Sequence, residues 1–116
     1  IVGDADGYSG IILTSPDGTS WTSRTSGTSR TPHGVTFGNS TFVAVGESGT
    51  ILTSSDGTSW TSRTSGTSRH LRRVIYGNGL FVTVGSFGTI LTSSDGTSWT
   101  SRTSGTTKDL WGINKY

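Results

Sequence analysis

The chain has 116 residues, of which 28% are apolar and 14% charged, and its formal net charge is only +2. A disordered linker would combine such low apolar content with high net charge and few aromatic residues, yet this chain keeps four Trp, four Phe and three Tyr. The small basic excess is not the clustered basic face of a nucleic-acid-binding protein, and no apolar run reaches the length of a membrane span, so neither partner is expected.

The N-terminal segment begins with Ile1-Val2-Gly3, which matches Val43-Ala44-Val45-Gly46 and predicts a short strand. The insertion that follows, Asp4 to Tyr8, resembles the start of a calcium loop but lacks its later acidic ligands and its terminal Glu. We interpret the insertion as a turn. No metal ion or other cofactor is expected.

A repeat runs through the chain, because Trp21, Trp60 and Trp99 are spaced by 39 residues in the nearly constant text TSSDGTSWTSRTSGTS. A period of about 40 residues is typical of propeller blades and of some helical solenoids. Gly and β-branched residues recur every few positions without a helical apolar stripe, which excludes helices. The sequence therefore predicts an all-β fold, a β-propeller of three four-stranded antiparallel blades in a single unit, residues 1–116. Their bounds are 1–27 (second to fourth strands), 28–66 and 67–105, and 106–116 is a further inner strand.

The central repeat shows how one blade is built. Its second strand carries apolar residues on both faces, which indicates that both faces are covered. The fourth strand is polar except for its Trp and is expected on the outside. The predicted strands are Val35–Phe37, Phe42–Val45, Ile51–Ser54 and Ser59–Thr64, with turns at 38–40 and 46–49.

A two-residue hairpin turn is predicted at Asp56-Gly57, since both residues tolerate the positive φ angles of a type I′ turn. This turn would pair Thr53 with Trp60. Trp60 would then share a face with Ile51, while Leu52 would point to the other face.

The third repeat follows the same pattern and has Asn78-Gly79 as its first hairpin turn. Beyond it, Leu110–Tyr116 aligns with Leu71–Gly77 and predicts another inner strand. The apolar positions of the third repeat are Val74, Tyr76, Phe81, Val82, Val84, Ile90, Leu91 and Trp99.

Three blades are fewer than the typical four to eight or so of a closed ring. We expect Leu110–Tyr116 of one chain to complete the N-terminal blade of a second chain, so that a homodimer closes a six-bladed ring without an unpaired edge. A nine-bladed trimer, a filament and a fragment of a longer propeller are the alternatives.

The stretches Ser54–Trp60 and Ser93–Trp99 read SSDGTSW, Ser15–Trp21 reads SPDGTSW, and all three resemble the Asp-box, or bacterial neuraminidase (BNR-type), repeat. With YGNG, FVAVG and GTILTSSDGTSW, the wider repeat is similar to the propellers of photosystem II assembly factors and related bacterial repeat proteins. The resemblance implies a structural role, in which Asp accepts backbone N–H groups of its own turn, Gly supplies the unusual φ, and Trp covers the hairpin. The implied box residues are Asp17, Gly18, Trp21, Asp56, Gly57, Trp60, Asp95, Gly96 and Trp99.

The same resemblance raises the hypothesis of a sialidase-like hydrolase. Such an enzyme needs three converging arginines, a Tyr nucleophile with a carboxylate partner and a separate acid/base carboxylate. Glu47 is the only Glu and lies in a turn, and Arg24, Arg63 and Arg102 occupy equivalent positions on separate blades. The sequence therefore favours a protein that is not an enzyme.

The repeats differ most in the segments that link an outer strand to the next inner strand. We expect these segments to cluster on one propeller face near the central channel, since function is often carried by loops on a rigid scaffold. Merely variable connections are the alternative. The candidate residues for a ligand or partner face are Arg30, His33, Arg69, His70, Arg72, Arg73, Lys108 and Trp111.

The predicted function is that of a non-catalytic scaffold that self-assembles and mediates protein interaction, with an acidic protein as the partner of the basic face. A glycan-binding, lectin-like propeller is the alternative. It is disfavoured because the repeat position of Trp111 is occupied by Arg72 and His33 in the other repeats, so that no aromatic platform repeats on this face. A designed or amplified repeat protein whose only activity is assembly also fits the near identity of the repeats.

The chain has no Cys, which excludes disulfides and thiolate sites. The sequence leaves the compartment open, with an extracellular or periplasmic location favoured over the cytosol. The chain also lacks Met, which indicates a processed product, a fragment or a chain whose ends were chosen.

Overall fold

The computed structural model describes residues 11–14, 19–20, 22–25 and 32–112, and this part of the chain is all-β without an α-helix. Its first two strands, Ile11–Thr14 (β1) and Thr22–Thr25 (β2), form a two-stranded antiparallel sheet. The predicted strand Ile1-Val2-Gly3 lies outside the described residues, as do the box residues Asp17, Gly18 and Trp21. In the described ranges, no helix is long and apolar enough to cross a membrane.

Two four-stranded antiparallel sheets carry most of the described structure, and in each the strands follow one another in chain order. This arrangement confirms the predicted all-β class and the four-stranded meander of the second and third repeats. The first sheet contains Pro32–Gly38 (β3), Thr41–Gly46 (β4), Ile51–Ser54 (β5) and Thr61–Arg63 (β6). The second contains Leu71–Gly77 (β7), Leu80–Gly85 (β8), Ile90–Ser93 (β9) and Thr100–Arg102 (β10).

The turn between the first two strands of each sheet has two residues with positive φ. Asn39 and Ser40 have φ of 48° and 58°, and Asn78 and Gly79 have φ of 52° and 73°. Positive φ at both positions is the backbone of a type I′ hairpin, whose twist matches that of the flanking strands. The next turn in each sheet is a short 3₁₀ turn, Glu47–Gly49 or Ser86–Gly88.

The hairpin between β5 and β6 differs from the sequence prediction, because Thr53 pairs with Thr61 and not with Trp60. The two-residue turn at Asp56-Gly57 is wrong: the connection spans residues 55–60, and the Ser54 and Asp56 side chains fix it by accepting backbone N–H groups within it. A shift of one residue moves a side chain to the other face of a sheet. Trp60 accordingly packs with Leu52 instead of Ile51.

The main core lies between the two four-stranded sheets, and it joins residues of one face from each. The opposite face of the first sheet carries a smaller cluster of Ala44 and Leu52, against which Val35 and Trp60 pack. Apolar residues on both faces of one sheet are expected where each face packs against another sheet. The main core consists of Val43, Val45 and Ile51 from the first sheet and Leu71, Val74, Phe81 and Leu91 from the second, with Tyr76 and Trp99 packed against it.

The innermost strands of the two sheets, β3 and β7, come close together. A Cβ placed on Gly34 would lie 3.3 Å from the backbone oxygen of Arg72 and 3.4 Å from the Cα of Arg73. The absence of a side chain at Gly34 therefore brings the start of β3 against the start of β7, where the predicted site residues His33 and Arg72 lie.

Candidate binding site

Each inner strand has a β-bulge near its start, and the bulged residue is one that differs in type between the repeats. In β3 the pairing shifts between Pro32 and Gly34, which makes His33 the extra residue. In β7 it shifts between Leu71 and Arg73, which makes Arg72 the extra residue. Bulges bend a strand and redirect its side chains, and they are frequent beside functional sites.

One cavity of about 230 Å³ is lined by His33, Arg72, Arg73 and Trp111. The Arg72 guanidinium carbon lies 4.3 Å from the centroid of the Trp111 ring, which is a cation–π contact. Trp111 remains 60% exposed. The cavity therefore offers two guanidinium groups and an accessible indole, and the repeat position that gives His33 and Arg72 also gives Trp111.

The Arg72 side chain carries a buried donor that is not satisfied by the protein. Its Nε is buried and has no hydrogen-bond partner among the described residues. A buried polar group in this condition costs about 1–3 kcal/mol. A carbonyl or carboxylate oxygen in the cavity could accept a hydrogen bond from the Arg72 guanidinium, while the face of that group stays on the Trp111 ring.

The other candidate residues lie outside the lining of this cavity. The Arg69 guanidinium carbon lies 4.0 Å from the centroid of the Phe87 ring, which is 53% exposed. The backbone N–H of Lys108 donates to Thr106 Oγ1, and its side chain is exposed. Arg30 lies outside the described residues.

His70 has a partner on the neighbouring sheet, since its Nδ1 accepts the backbone N–H of Ser48 at 3.1 Å. One repeat later, the Asp109 carboxylate accepts the backbone N–H of Phe87 at 2.9 Å. Both bonds tie a 3₁₀ turn to the segment that follows the sheet. Sequence reasoning missed Phe87, although an aromatic residue where the central repeat has Ser48 is the kind of irregularity that marked the other candidates.

The turns that contain Asp56 and Asp95 are closed by their own side chains. Asp56 Oδ1 accepts the backbone N–H groups of Thr58 at 2.8 Å and Ser59 at 3.0 Å, while Ser54 Oγ accepts that of Gly57 at 2.7 Å. The backbone N–H groups of Ser59 and Thr58 hold the pKa of the Asp56 carboxyl below its ordinary value.

The turn of the third repeat is built in the same way, and the backbone N–H of Ser98 is the largest cause of the lowered pKa of Asp95. The indole N–H groups of Trp60 and Trp99 donate to the carbonyl oxygens of Gly57 and Gly96, at 3.0 and 2.8 Å. In the second and third repeats, the Asp and Trp side chains and the Gly backbone therefore act on one turn.

The repeated arginines also lie apart from one another. Arg63 Nε donates to Thr53 Oγ1 at 2.9 Å in the first sheet, and Arg102 Nε donates to Thr92 Oγ1 at 3.0 Å in the second. Within the described ranges, no group of three or more His, Asp or Glu side chains could hold a metal ion.

Comparison with known proteins gives the class of the fold. No protein-family model matches the sequence, and no curated protein matches it. A solved structure described as YCF48 bound to D1 peptide is similar, with a TM-score of 0.67 and 24% identity, over 82% of this chain and 34% of that one. That protein is a β-propeller, so the two four-stranded sheets are blade-like units and the fold is propeller-like. The chain spans about a third of the length of that protein.

Proposed function

We propose that the protein is a non-catalytic propeller scaffold that binds an acidic peptide segment at the cavity of His33, Arg72, Arg73 and Trp111. The observation that carries this proposal is Arg72, stacked on an exposed indole with its buried Nε unpartnered. A guanidinium fork matches a carboxylate, and charge-assisted bonds of this kind are among the stronger hydrogen bonds in proteins. The likeness to YCF48 bound to D1 peptide supports peptide binding by this type of fold.

Peptide binding can be measured by fluorescence anisotropy with two labelled peptides of one length. One peptide is rich in Asp and Glu, and the other has Asn and Gln at the same positions. We expect tighter binding of the acidic peptide, and Arg72→Gln is expected to weaken it by at least about tenfold, because truncating a buried charge partner is costly.

Arg69→Gln is the matched control for this experiment, since it removes the same charge from an exposed arginine that also stacks on an aromatic ring, Phe87, but lies outside the cavity lining. Trp111→Ala removes the indole and is expected to weaken binding as well. Equal binding of the two peptides, or equal losses for Arg72→Gln and Arg69→Gln, would contradict the proposal.

We also propose that the scaffold assembles with a second copy of itself. Ile51 of the first sheet is fully buried against the second sheet, whereas Ile90, its equivalent in the second sheet, is only half-buried. A cavity of about 640 Å³ lies on the second sheet beside Gly88, lined by residues 102–107. These features support the packing of a further blade against this side of the second sheet.

The neighbour proposed is the N-terminal blade of a second chain, completed by Leu110–Tyr116 of the first. Residues 113–116 lie outside the described ranges, and the described Leu110–Gly112 form no strand, although the Leu110 N–H donates to the Gly85 carbonyl at 2.9 Å. Strand exchange therefore stays a prediction. Size-exclusion chromatography coupled to light scattering is expected to give twice the 12.1 kDa mass of the chain. Three times that mass would favour a ring of nine blades. A folded monomer would contradict strand exchange.

A further inference from the structure

We propose a second binding site, for a neutral saccharide, in a cavity of about 290 Å³ between the two four-stranded sheets. Thr41, Thr61 and Arg63 of the first sheet line this inter-sheet cavity, and Asp95 and Thr97 line it from the β9–β10 loop of the second. The site is distinct from the cavity of Arg72 and Trp111, which has other lining residues. It does not depend on the peptide proposal.

The chemistry of the lining selects the class of ligand. Every residue around the inter-sheet cavity is Ser, Thr, Arg or Asp, so that the lining is mainly polar and favours a polar ligand. Arg63 and Asp95 bring opposite charges to one cavity, which suits a neutral ligand better than an ion. Vicinal hydroxyl groups can accept from a guanidinium and donate to a carboxylate at the same time, and hydroxyl side chains can do both.

Both charged groups are held in place before a ligand arrives. Arg63 Nε is fixed on Thr53 Oγ1 at 2.9 Å. Asp95 Oδ1 accepts from Ser93 Oγ and from the backbone of Thr97 and Ser98, which leaves Oδ2 as the acceptor that these bonds do not use. Prior ordering of the binding groups lowers the entropic cost of binding.

The near identity of the repeats extends this site to other junctions between blades. Arg24 and Arg102 match Arg63 in the sequence, and Asp17 and Asp56 match Asp95. In the sequence, the same two repeat positions therefore offer one such Arg and one such Asp wherever another pair of blades meets. The repeated aromatic platform that a lectin often uses is not needed for a site whose contacts are all polar.

The test is an NMR titration of the ¹⁵N-labelled chain with D-galactose, D-mannose, D-glucose and L-fucose, each added separately. At least one sugar is expected to produce saturable shifts at the backbone amides of Thr61 and Thr97. Asp95→Asn is the sharpest variant, because an Asn oxygen can still accept the bonds of the turn while an amide replaces Oδ2. We expect this variant to stay folded and to bind on the order of tenfold more weakly, with its melting temperature lowered only by the loss of the charged acceptor of the turn.

Asp109→Asn is the matched control, since its carboxylate accepts a backbone N–H but lies outside the inter-sheet cavity. Thr61→Val, a change on an exposed strand residue, provides a second variant if Asp95→Asn is unstable. The proposal is overturned if no sugar gives saturable shifts, if both Asp95→Asn and Thr61→Val bind as the wild type does, or if the shifts centre on Trp111. Binding of the acidic peptide is expected to be unchanged in Asp95→Asn, which separates the failure of one site from failure of the other.

Discussion

Asp56 and Asp95 show how a single exposed carboxylate can fix a turn. Each accepts backbone N–H groups two and three residues ahead, and Ser54 or Ser93 completes the same network. The resulting pKa values lie below the ordinary 3.8 of the side chain. Membership of these turns in the Asp-box family stays a prediction, but their hydrogen bonds have a measurable consequence.

We predict that the melting temperature falls with pH in a way that these two carboxylates explain. Because their pKa is lower in the folded chain than the 3.8 of the ordinary side chain, ionisation stabilises the fold above that value. This stabilisation is lost as the pH falls through 3.8 towards the folded pKa. Circular dichroism melts from pH 7 downward measure the decline, and the double variant Asp56→Asn/Asp95→Asn is expected to show a flatter one. An equally steep decline in the double variant would assign it to other groups.

Gly38 illustrates a contact that the sequence could not reveal. A Cβ at this position would lie 2.2 Å from Cγ of Tyr76, a residue of the neighbouring sheet. Gly38 was predicted only as part of a turn, because nothing in the local text indicates which side chain of another repeat lies above it. The close approach depends on how the sheets stack.

We predict that Gly38→Ala lowers the free energy of unfolding by roughly 1–3 kcal/mol, since the Tyr76 ring must move away from its place beside the core. Urea unfolding followed by Trp fluorescence measures the change. Gly112→Ala is the control, because a Cβ there would meet nothing within 4 Å. Similar losses for both variants would show that the inter-sheet contact is not the cause.

The hairpin between β5 and β6 shows where prediction from sequence fails at the level of an element. The text Asp-Gly predicts a tight turn between two strands, and the strands Ile51–Ser54 and Thr61–Arg63 do exist. The hydrogen bonds that the Ser54 and Asp56 side chains accept from nearby backbone N–H groups compete with that turn and give a longer connection. The pairing is therefore shifted by one residue, and the face of Trp60 was predicted wrongly.

We predict that Ser54→Ala destabilises the first sheet by about 1–3 kcal/mol, because it leaves the buried Gly57 N–H without its acceptor. Ser54 Oγ also accepts the Asp56 N–H and donates to the Asp56 carboxylate. Chemical unfolding measures the loss, and Ser55→Ala, at the exposed neighbouring position, is expected to change little. The importance of this turn would be refuted by equal effects of the two substitutions.

For the inner strands β3 and β7, the sequence predicts which residues share a site but not the bulges that position them. Alignment of the repeats placed His33, Arg72 and Trp111 at one position, and the structure brings all three to one cavity. The bulges at His33 and Arg72 could not be predicted, since they depend on the pairing with β4 and β8 and not on the local text. Lys108 and His70 were equally good candidates in the sequence and lie outside the cavity lining.

For the whole molecule, the question is what covers the outward face of the second sheet. In the first sheet, the equivalent face is buried by the second sheet, and this pairing forms the main core of the described chain. A propeller repeats such a contact from blade to blade until the ring closes. Ile90 lies where the next contact would form and is only half-buried without it.

We predict that Ile90→Glu converts the proposed dimer to a folded monomer, because a charged side chain cannot be buried against the next blade without a large cost. Light scattering gives the mass, and circular dichroism shows whether the strands persist. Ser101→Glu is the control and is expected to keep the assembled mass, because Ser101 is exposed and pairs with Leu91, which places it on the opposite face of the outer strand. If Ile90→Glu unfolds the chain, the smaller change Ile90→Ser separates the roles, since Ser leaves no charge within the sheet. A folded Ile90→Glu protein of undiminished mass would mean that the chains meet elsewhere, and the second sheet would then need another explanation for its open face.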